Sequence, residues 1–200
     1  MSRPTYGPYS QTYAYDQWGN LTQRQGWGGE HASYTATFDA GNRRTNFSYD
    51  ASGHLAWDTG QTFQYDAAGQ QVSATAGGLQ MSYDGEGLRA SKVDNGSTTY
   101  YLRSSVFGGQ VINEINGSGV WTRGYVYAGS QLLAVQQNNS VSWVAQDPVT
   151  KSQRITAQNG AVTSVIDVDP WGGETAKSSN QAFQPHRFTS YERDQNGRYL

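Results

Sequence analysis

Apolar and polar residues alternate with period two along most of the chain, as in Thr62-Phe63-Gln64-Tyr65 and, past a short polar break, Gln71-Val72-Ser73-Ala74-Thr75. That period sends successive side chains to opposite faces of an extended backbone, so each stretch predicts a strand with one buried face. The same grammar continues through 98–102, 109–115, 121–127, 131–136, 141–144, 152–156 and 161–168. Asn116-Gly117-Ser118-Gly119, Asn138-Asn139-Ser140 and Gln158-Asn159-Gly160 supply turns between them, and residues 177–181 predict a loop or flexible joint. Windows of about 11 residues lack an i, i+3, i+4, i+7 apolar stripe free of Gly, while Thr, Val and aromatics fill the strands. The predicted fold is all-β, a run of consecutive antiparallel hairpins.

A short unit recurs at the breaks: Tyr15-Asp16-Gln17-Trp18-Gly19, Tyr49-Asp50-Ala51-Ser52-Gly53, Tyr65-Asp66-Ala67-Ala68-Gly69 and Tyr83-Asp84-Gly85-Glu86-Gly87. Phe38-Asp39-Ala40-Gly41 reads as a fifth copy, one residue short. The uneven spacing of the copies excludes coils of fixed pitch and propeller blades, and suits hairpins of variable length. Asp at the first turn position binds backbone N–H groups ahead of it, and Gly at the fourth accepts a positive φ, so Asp-x-x-Gly predicts a turn. Tyr then ends each incoming strand. Hairpins placed side by side in one sheet would bring Tyr15, Tyr49, Tyr65 and Tyr83 onto one face, a tyrosine ladder.

Composition narrows the function. The 200 residues hold 14 Lys and Arg against 16 Asp and Glu, a net charge near −2, and only 15% are charged. A nucleic-acid-binding domain would be basic, so no nucleic-acid partner is expected. Mean hydropathy is −0.72, yet 13% of the residues are aromatic, which excludes a disordered chain. The absence of Cys removes disulfides, thiolate metal sites and Cys nucleophiles. No stretch is long and apolar enough for a transmembrane span, and the N-terminus lacks the apolar core of a signal peptide.

These units resemble the YD repeats of the Rhs family, which includes bacterial polymorphic toxins, the C components of insecticidal toxin complexes and the animal teneurins. The second half resembles that family's associated core. Tyr125-Val126-Tyr127-Ala128-Gly129-Ser130-Gln131-Leu132-Leu133 is followed by Asp169-Pro170-Trp171-Gly172 and then by Arg187-Phe188-Thr189-Ser190-Tyr191-Glu192-Arg193-Asp194, which departs from the family signature at Ser190. On this reading 1–95 are YD hairpins and 96–200 core-like hairpins continuous with them as a single β unit. The resemblance implies a spiralling, cocoon-like β shell around a C-terminal toxin or effector, in a secreted or cell-surface parent protein. The partners implied are the rest of a longer Rhs-type protein and its cargo. The free edges of an open sheet add the option of self-association.

The resemblance also implies aspartyl-type self-cleavage in a later Asp-Pro-x-Gly segment, assisted by an Arg-Asp pair whose place Arg193-Asp194 occupies; that segment is expected beyond Leu200. Asp169-Pro170-Trp171-Gly172 fits the same pattern but lies upstream, and Pro second with Gly fourth already explains it as a turn. The histidines His31, His54 and His186 lack metal-ligand spacing, and the repeat carboxylates are accounted for by turns, so neither a metal nor a cofactor is expected. Serine-nucleophile, P-loop and dinucleotide fingerprints are missing, so no enzyme is expected. Trp18, Trp27, Trp57, Trp121, Trp143 and Trp171 leave one alternative, a self-contained β module that binds carbohydrate or a cell surface through exposed aromatics.

Overall fold

The structure, a computed structural model, describes residues 11–26, 33–169, 172–175, 177–180, 192 and 194. The alternating stretches become strands. β1 (Gln11–Tyr15), β2 (Leu21–Gly26) and β3 (Ser33–Thr35) form a three-stranded sheet in that order. A second sheet has thirteen strands: β4 (Ser48–Tyr49), β5 (Leu55–Asp58), β6 (Gln61–Tyr65), β7 (Gln71–Ala74), β8 (Leu79–Tyr83), β9 (Arg89–Asp94), β10 (Ser97–Ser104), β11 (Gln110–Asn116), β12 (Trp121–Ala128), β13 (Gln131–Gln137), β14 (Ser140–Gln146), β15 (Gln153–Thr156) and β16 (Val162–Ile166). Its spatial order is the sequence order, every pairing is antiparallel, and β4 and β16 stand at the two edges without meeting. Among the described residues the helical content is one 3-10 turn, Ala76–Gly78, and no helix is long and apolar enough to cross a membrane.

One irregularity recurs. In eight hairpins the return strand carries an extra residue close to the turn. Tyr83 faces Arg89 while Ser82 faces Ser91, which leaves Ala90 unpaired; Thr22, Thr122 and Thr163 are extra in the same way. Each of these threonines donates its hydroxyl to the carbonyl of Ala14, Glu114 or Ile155 on the facing strand. The hydroxyl gives the carbonyl a donor where the bulge disturbs the ladder. Bulges bend a strand and increase its local twist, so a bulge repeated on the same side of many hairpins bends the whole sheet.

One face of the long sheet is buried. Phe63, Ala74, Leu79 and Met81 form one apolar cluster there, with Leu55, Tyr65 and Tyr83 packed against it. Tyr101, Val111, Tyr125, Val135, Val144, Ile155 and Ile166 form another, flanked by Tyr127, Leu132 and Val168. The opposite face is open: Tyr100, Leu102, Val126 and Trp143 alternate along β10, β12 and β14 with the buried residues and remain exposed. The segment expected as a loop or flexible joint forms no strand over its described residues and is tied to the sheet through residues 178–180. Ser179 exchanges backbone hydrogen bonds with Val165, and the Asn180 amide donates to the Thr163 carbonyl. Gln181 lies outside the described residues.

Candidate functional site

The predicted turn residues share one geometry. In each Tyr-Asp unit the aspartate N–H donates to the carbonyl four residues on, and the glycine N–H donates back to the aspartate carbonyl, for Asp16 and Gly19, Asp50 and Gly53, Asp66 and Gly69, and Asp84 and Gly87. The carboxylate oxygen accepts N–H groups ahead of it: Trp18 and Asn20 for Asp16, Ala68 and Gln70 for Asp66, Glu86 and Leu88 for Asp84. The Asn20 amide, together with these N–H groups, holds the Asp16 carboxyl below its ordinary range. This is the three-residue hairpin loop that ends in a left-handed residue.

The Phe38-Asp39-Ala40-Gly41 copy is corrected: it is not one residue short. Asn42, at φ 61°, takes the glycine's place, and its N–H donates to the Asp39 carbonyl while Asp39 N–H donates to Arg43. Asn tolerates the left-handed region because its short polar side chain bonds locally. Asp169 makes the same turn with Gly172 and Gly173, as does Asn116, whose amide oxygen accepts the N–H groups of Ser118 and Val120. Pro170, Arg187, Phe188 and Arg193, with Trp27, Trp171, His31 and His186, lie outside the described residues.

Consecutive turns interlock through the residue that follows each left-handed position. Asn20 donates to the Asn42 side chain, and Gln70 to the Gly87 carbonyl. Arg43, His54 and Leu88 lie where Cβ atoms on Gly53, Gly69 and Gly109 would be, at 2.9, 3.0 and 2.5 Å. His54 is stacked on Tyr65 with centroids 4.7 Å apart. Two of the strand-end tyrosines form rungs through the backbone. Tyr83 donates its hydroxyl to the Gln71 carbonyl at 2.7 Å, Gln71 being the residue that faces Tyr65, and Tyr127 donates to Val111. Tyr15 belongs to the three-stranded sheet and is half exposed.

Between the two apolar clusters the buried face carries charge. Arg89 donates to Glu192 and Asp194, each at 2.8 Å, and Lys92 donates to the same two carboxylates. Tyr101 donates to Glu192 at 2.8 Å. Next to them Glu114 pairs with Arg123 and accepts the Tyr125 hydroxyl. The Asp194 side chain is fully buried. The bulge at Ala90 explains why Arg89 and Lys92, three positions apart, share a face: they stand opposite Tyr83 and Met81. Burial works against both cations, but Glu192 and Asp194 outweigh it and raise both pKa values. Burial and Glu192 push the Tyr101 hydroxyl far up, and burial raises Glu114 despite Arg123. Every carboxylate oxygen of Glu192 and Asp194 is engaged, so the arrangement clamps these two residues onto the sheet. No group of three metal-capable side chains occurs among the described residues.

Sequence reasoning named Glu192 and Asp194 but missed Arg89, Lys92, Tyr101, Glu114 and Arg123. The signal available was charge inside strands whose alternation asks for an apolar side chain, in a chain where charge is scarce.

A family model for the teneurin YD-shell matches residues 4–190. The chain belongs to the teneurin YD-shell family. Among solved structures, this YD-shell chain is similar to one described as the Tc holotoxin pore of Photorhabdus luminescens with the mutation TccC3-D651A, at 19% identity and TM-score 0.68. It is also similar to a crystal structure of TcdB2-TccC3-TEV, at 20% identity and TM-score 0.67. In both, 96% of this chain aligns with 11% of the other, so it spans about a tenth of their length. A search of curated proteins gave no match.

Proposed function

We propose that this YD-shell chain is a stretch of wall in a larger shell, whose buried face looks inward onto an enclosed C-terminal toxin or effector polypeptide that the shell protects and helps deliver. Residues 1–95 and 96–200 would then act as one continuous wall that contributes enclosure and no catalysis, in a secreted or cell-surface parent. The observation that carries this reading is the thirteen-stranded sheet in sequence order with two separate edges, since its edge strands invite further strands. The small share of the similar chains that it covers supports a larger whole.

Ala145 and Gln146 are neighbours on β14 that point to opposite faces; Ala145 is exposed on the open face and Gln146 half-buried on the other. In the parent shell, a Cys at Ala145 should react with a bulky maleimide and a Cys at Gln146 should not, whereas both should react in the isolated chain. Equal labelling of the two in the parent overturns the wall reading.

A second reading rests on the open face. A Cβ on Gly124 would meet the Trp121 ring at 3.3 Å, and the Trp121 indole donates to Asn113, which fixes the ring against the strand. Trp143 is 53% exposed and stands across Ala134 from Val126 on that same face. These exposed aromatics suit carbohydrate at the outer surface. Saturable quenching of tryptophan fluorescence by oligosaccharides, lost in Trp143→Ala, tests it; a flat titration removes it.

A further inference from the structure

Arg103 interrupts the tyrosine ladder. It occupies the rung position held elsewhere by Tyr65, Tyr83 and Tyr127, facing Val111 as Tyr83 faces Arg89. It also keeps the rung's hydrogen bond, because its Nε donates to the Arg89 carbonyl at 3.0 Å as Tyr83 donates to Gln71. The ladder therefore needs one donor here, and the residue supplies a guanidinium. Its Nη1 donates to the Gly109 carbonyl at 2.8 Å. Neither partner is acidic.

The carboxylates of this face are committed elsewhere: Glu192 and Asp194 to Arg89 and Lys92, Glu114 to Arg123 and Tyr125. Among the described residues four cations, Arg89, Lys92, Arg103 and Arg123, thus stand on this face with three carboxylates, and Arg103 is the one that no carboxylate reaches by an ion pair. Burial and the neighbouring Arg89 lower its pKa, and the attraction of Asp84 and Glu192 offsets this only in part, so the charge is held at a cost that an anion would relieve.

Arg103 lines a cavity of about 580 Å³, within the size range of small-ligand sites. Tyr83, Leu88, Val111, Tyr127, Leu132 and Val144 give the cavity an apolar wall. Gln110 adds a second polar point: its amide donates to the Ser130 carbonyl, while its buried Oε1 has no hydrogen-bond partner. A guanidinium that makes no ion pair among the described residues, an acceptor without a donor and an apolar wall share one space, at whose edge Glu192 is held by Arg89, Lys92 and Tyr101.

We propose that this cavity binds a peptide carboxylate next to an N–H group and an apolar side chain, with Arg103 taking the carboxylate, Gln110 the N–H, and the Leu132 and Val144 side of the cavity the apolar group. The carboxylate belongs either to an acidic side chain or to a chain end of the polypeptide facing the wall. The inference rests on the wall reading for the source of the ligand; its chemistry rests on the cavity.

N-acetyl-phenylalanine supplies the chain-end chemistry, N-acetyl-aspartyl-phenylalanine amide the side-chain chemistry, and N-acetyl-phenylalanine amide lacks the charge. Titrated into the 200-residue chain and followed by backbone NMR shifts, at least one acid should saturate, perturb Val111 and Leu132, and bind ten times or more tighter than the neutral amide. Which acid binds tells the two sources apart. Arg103→Tyr restores the repeat's own residue, so it should keep the fold and lose that preference, and Gln146→Trp should block entry by filling the cavity. Equal binding of acids and amide, binding by neither acid, or an acid preference that survives in folded Arg103→Tyr overturns the proposal. Failure of the maleimide experiment would remove the wall reading and leave this titration unaffected.

Discussion

Tyr83 reaches back across one hairpin and donates its hydroxyl to the backbone carbonyl of Gln71 at 2.7 Å. Tyr127 repeats the relation with Val111. Each such tyrosine joins two hairpins by a bond that depends on neither partner's side-chain identity, which is how a ladder persists while the sequence around it varies. Tyr83→Phe should keep the packing and lose about 1 kcal/mol, the usual net worth of one hydrogen bond. Tyr83→Ala should lose several times that by also emptying part of the Phe63 cluster. Urea midpoints measure both, and equal losses for the two variants would mean that the hydroxyl bond carries little.

Gly69 and Gly19 are both left-handed, but their surroundings differ. A Cβ on Gly69 would lie 3.0 Å from the His54 ring, whereas nothing stands within 4 Å of one on Gly19. Gly19→Val should cost about 1–3 kcal/mol for backbone strain alone. Gly69→Val should cost more, because it also displaces His54 from Tyr65. Asn42→Gly should change stability by less than either, since glycine adopts the left-handed conformation freely while the exposed bond from Asn20 to the Asn42 side chain is lost. Thermal midpoints of the three variants rank these effects.

Arg89 holds two buried carboxylates at once. Arg89→Ala leaves Glu192 and Asp194 with Lys92 as their nearest cation, and breaking a buried pair from one side costs about 3–5 kcal/mol. The double variant Arg89→Met with Asp194→Leu should recover much of that loss, because two charges leave together. Urea unfolding of the single and double variants provides the measurement.

Alkali should loosen the sheet in a defined window. Burial pushes the Tyr127 hydroxyl up to about 12 from an ordinary 10.0. A group whose pKa is higher in the folded chain stabilises it fully below the unfolded value and loses that contribution as pH rises through the folded one. The contribution of Tyr127 is therefore whole below about pH 10 and lost between about 10 and 12. Lys92 acts in the same direction above its ordinary 10.5. Tyr127→Phe should flatten the decline of the thermal midpoint across that window, and an unchanged slope would exclude Tyr127 as its source.

The hairpins were legible because their cause is local: alternation, and an Asp and Gly spaced for one turn. Asn42 escaped because asparagine adopts the left-handed conformation without advertising it as glycine does. The turn at Gln158-Asn159-Gly160 was read from its Asn and Gly alone, and it uses the same backbone bonds with Ala157 in place of the acid at the first position. The charge cluster was illegible for a different reason. Arg89 and Glu192 are more than a hundred residues apart, and only the bulge at Ala90 turns Arg89 and Lys92 to one side. Period-two counting would have put them on opposite faces. The rung role of Arg103 was hidden likewise, since nothing in its neighbourhood spells a Tyr-Asp unit.

The extra residue beside the turn makes the hairpin, not the strand, the unit in which such a sheet can grow or shrink. Inserting a whole hairpin adds another bend of the same sense and leaves every later side chain on its own side. Losing a single residue at one bulge would instead exchange inside for outside along the rest of that strand, bringing Trp143-like positions inward and Val144-like ones outward. Size is then free to drift over evolutionary time, while parity is not.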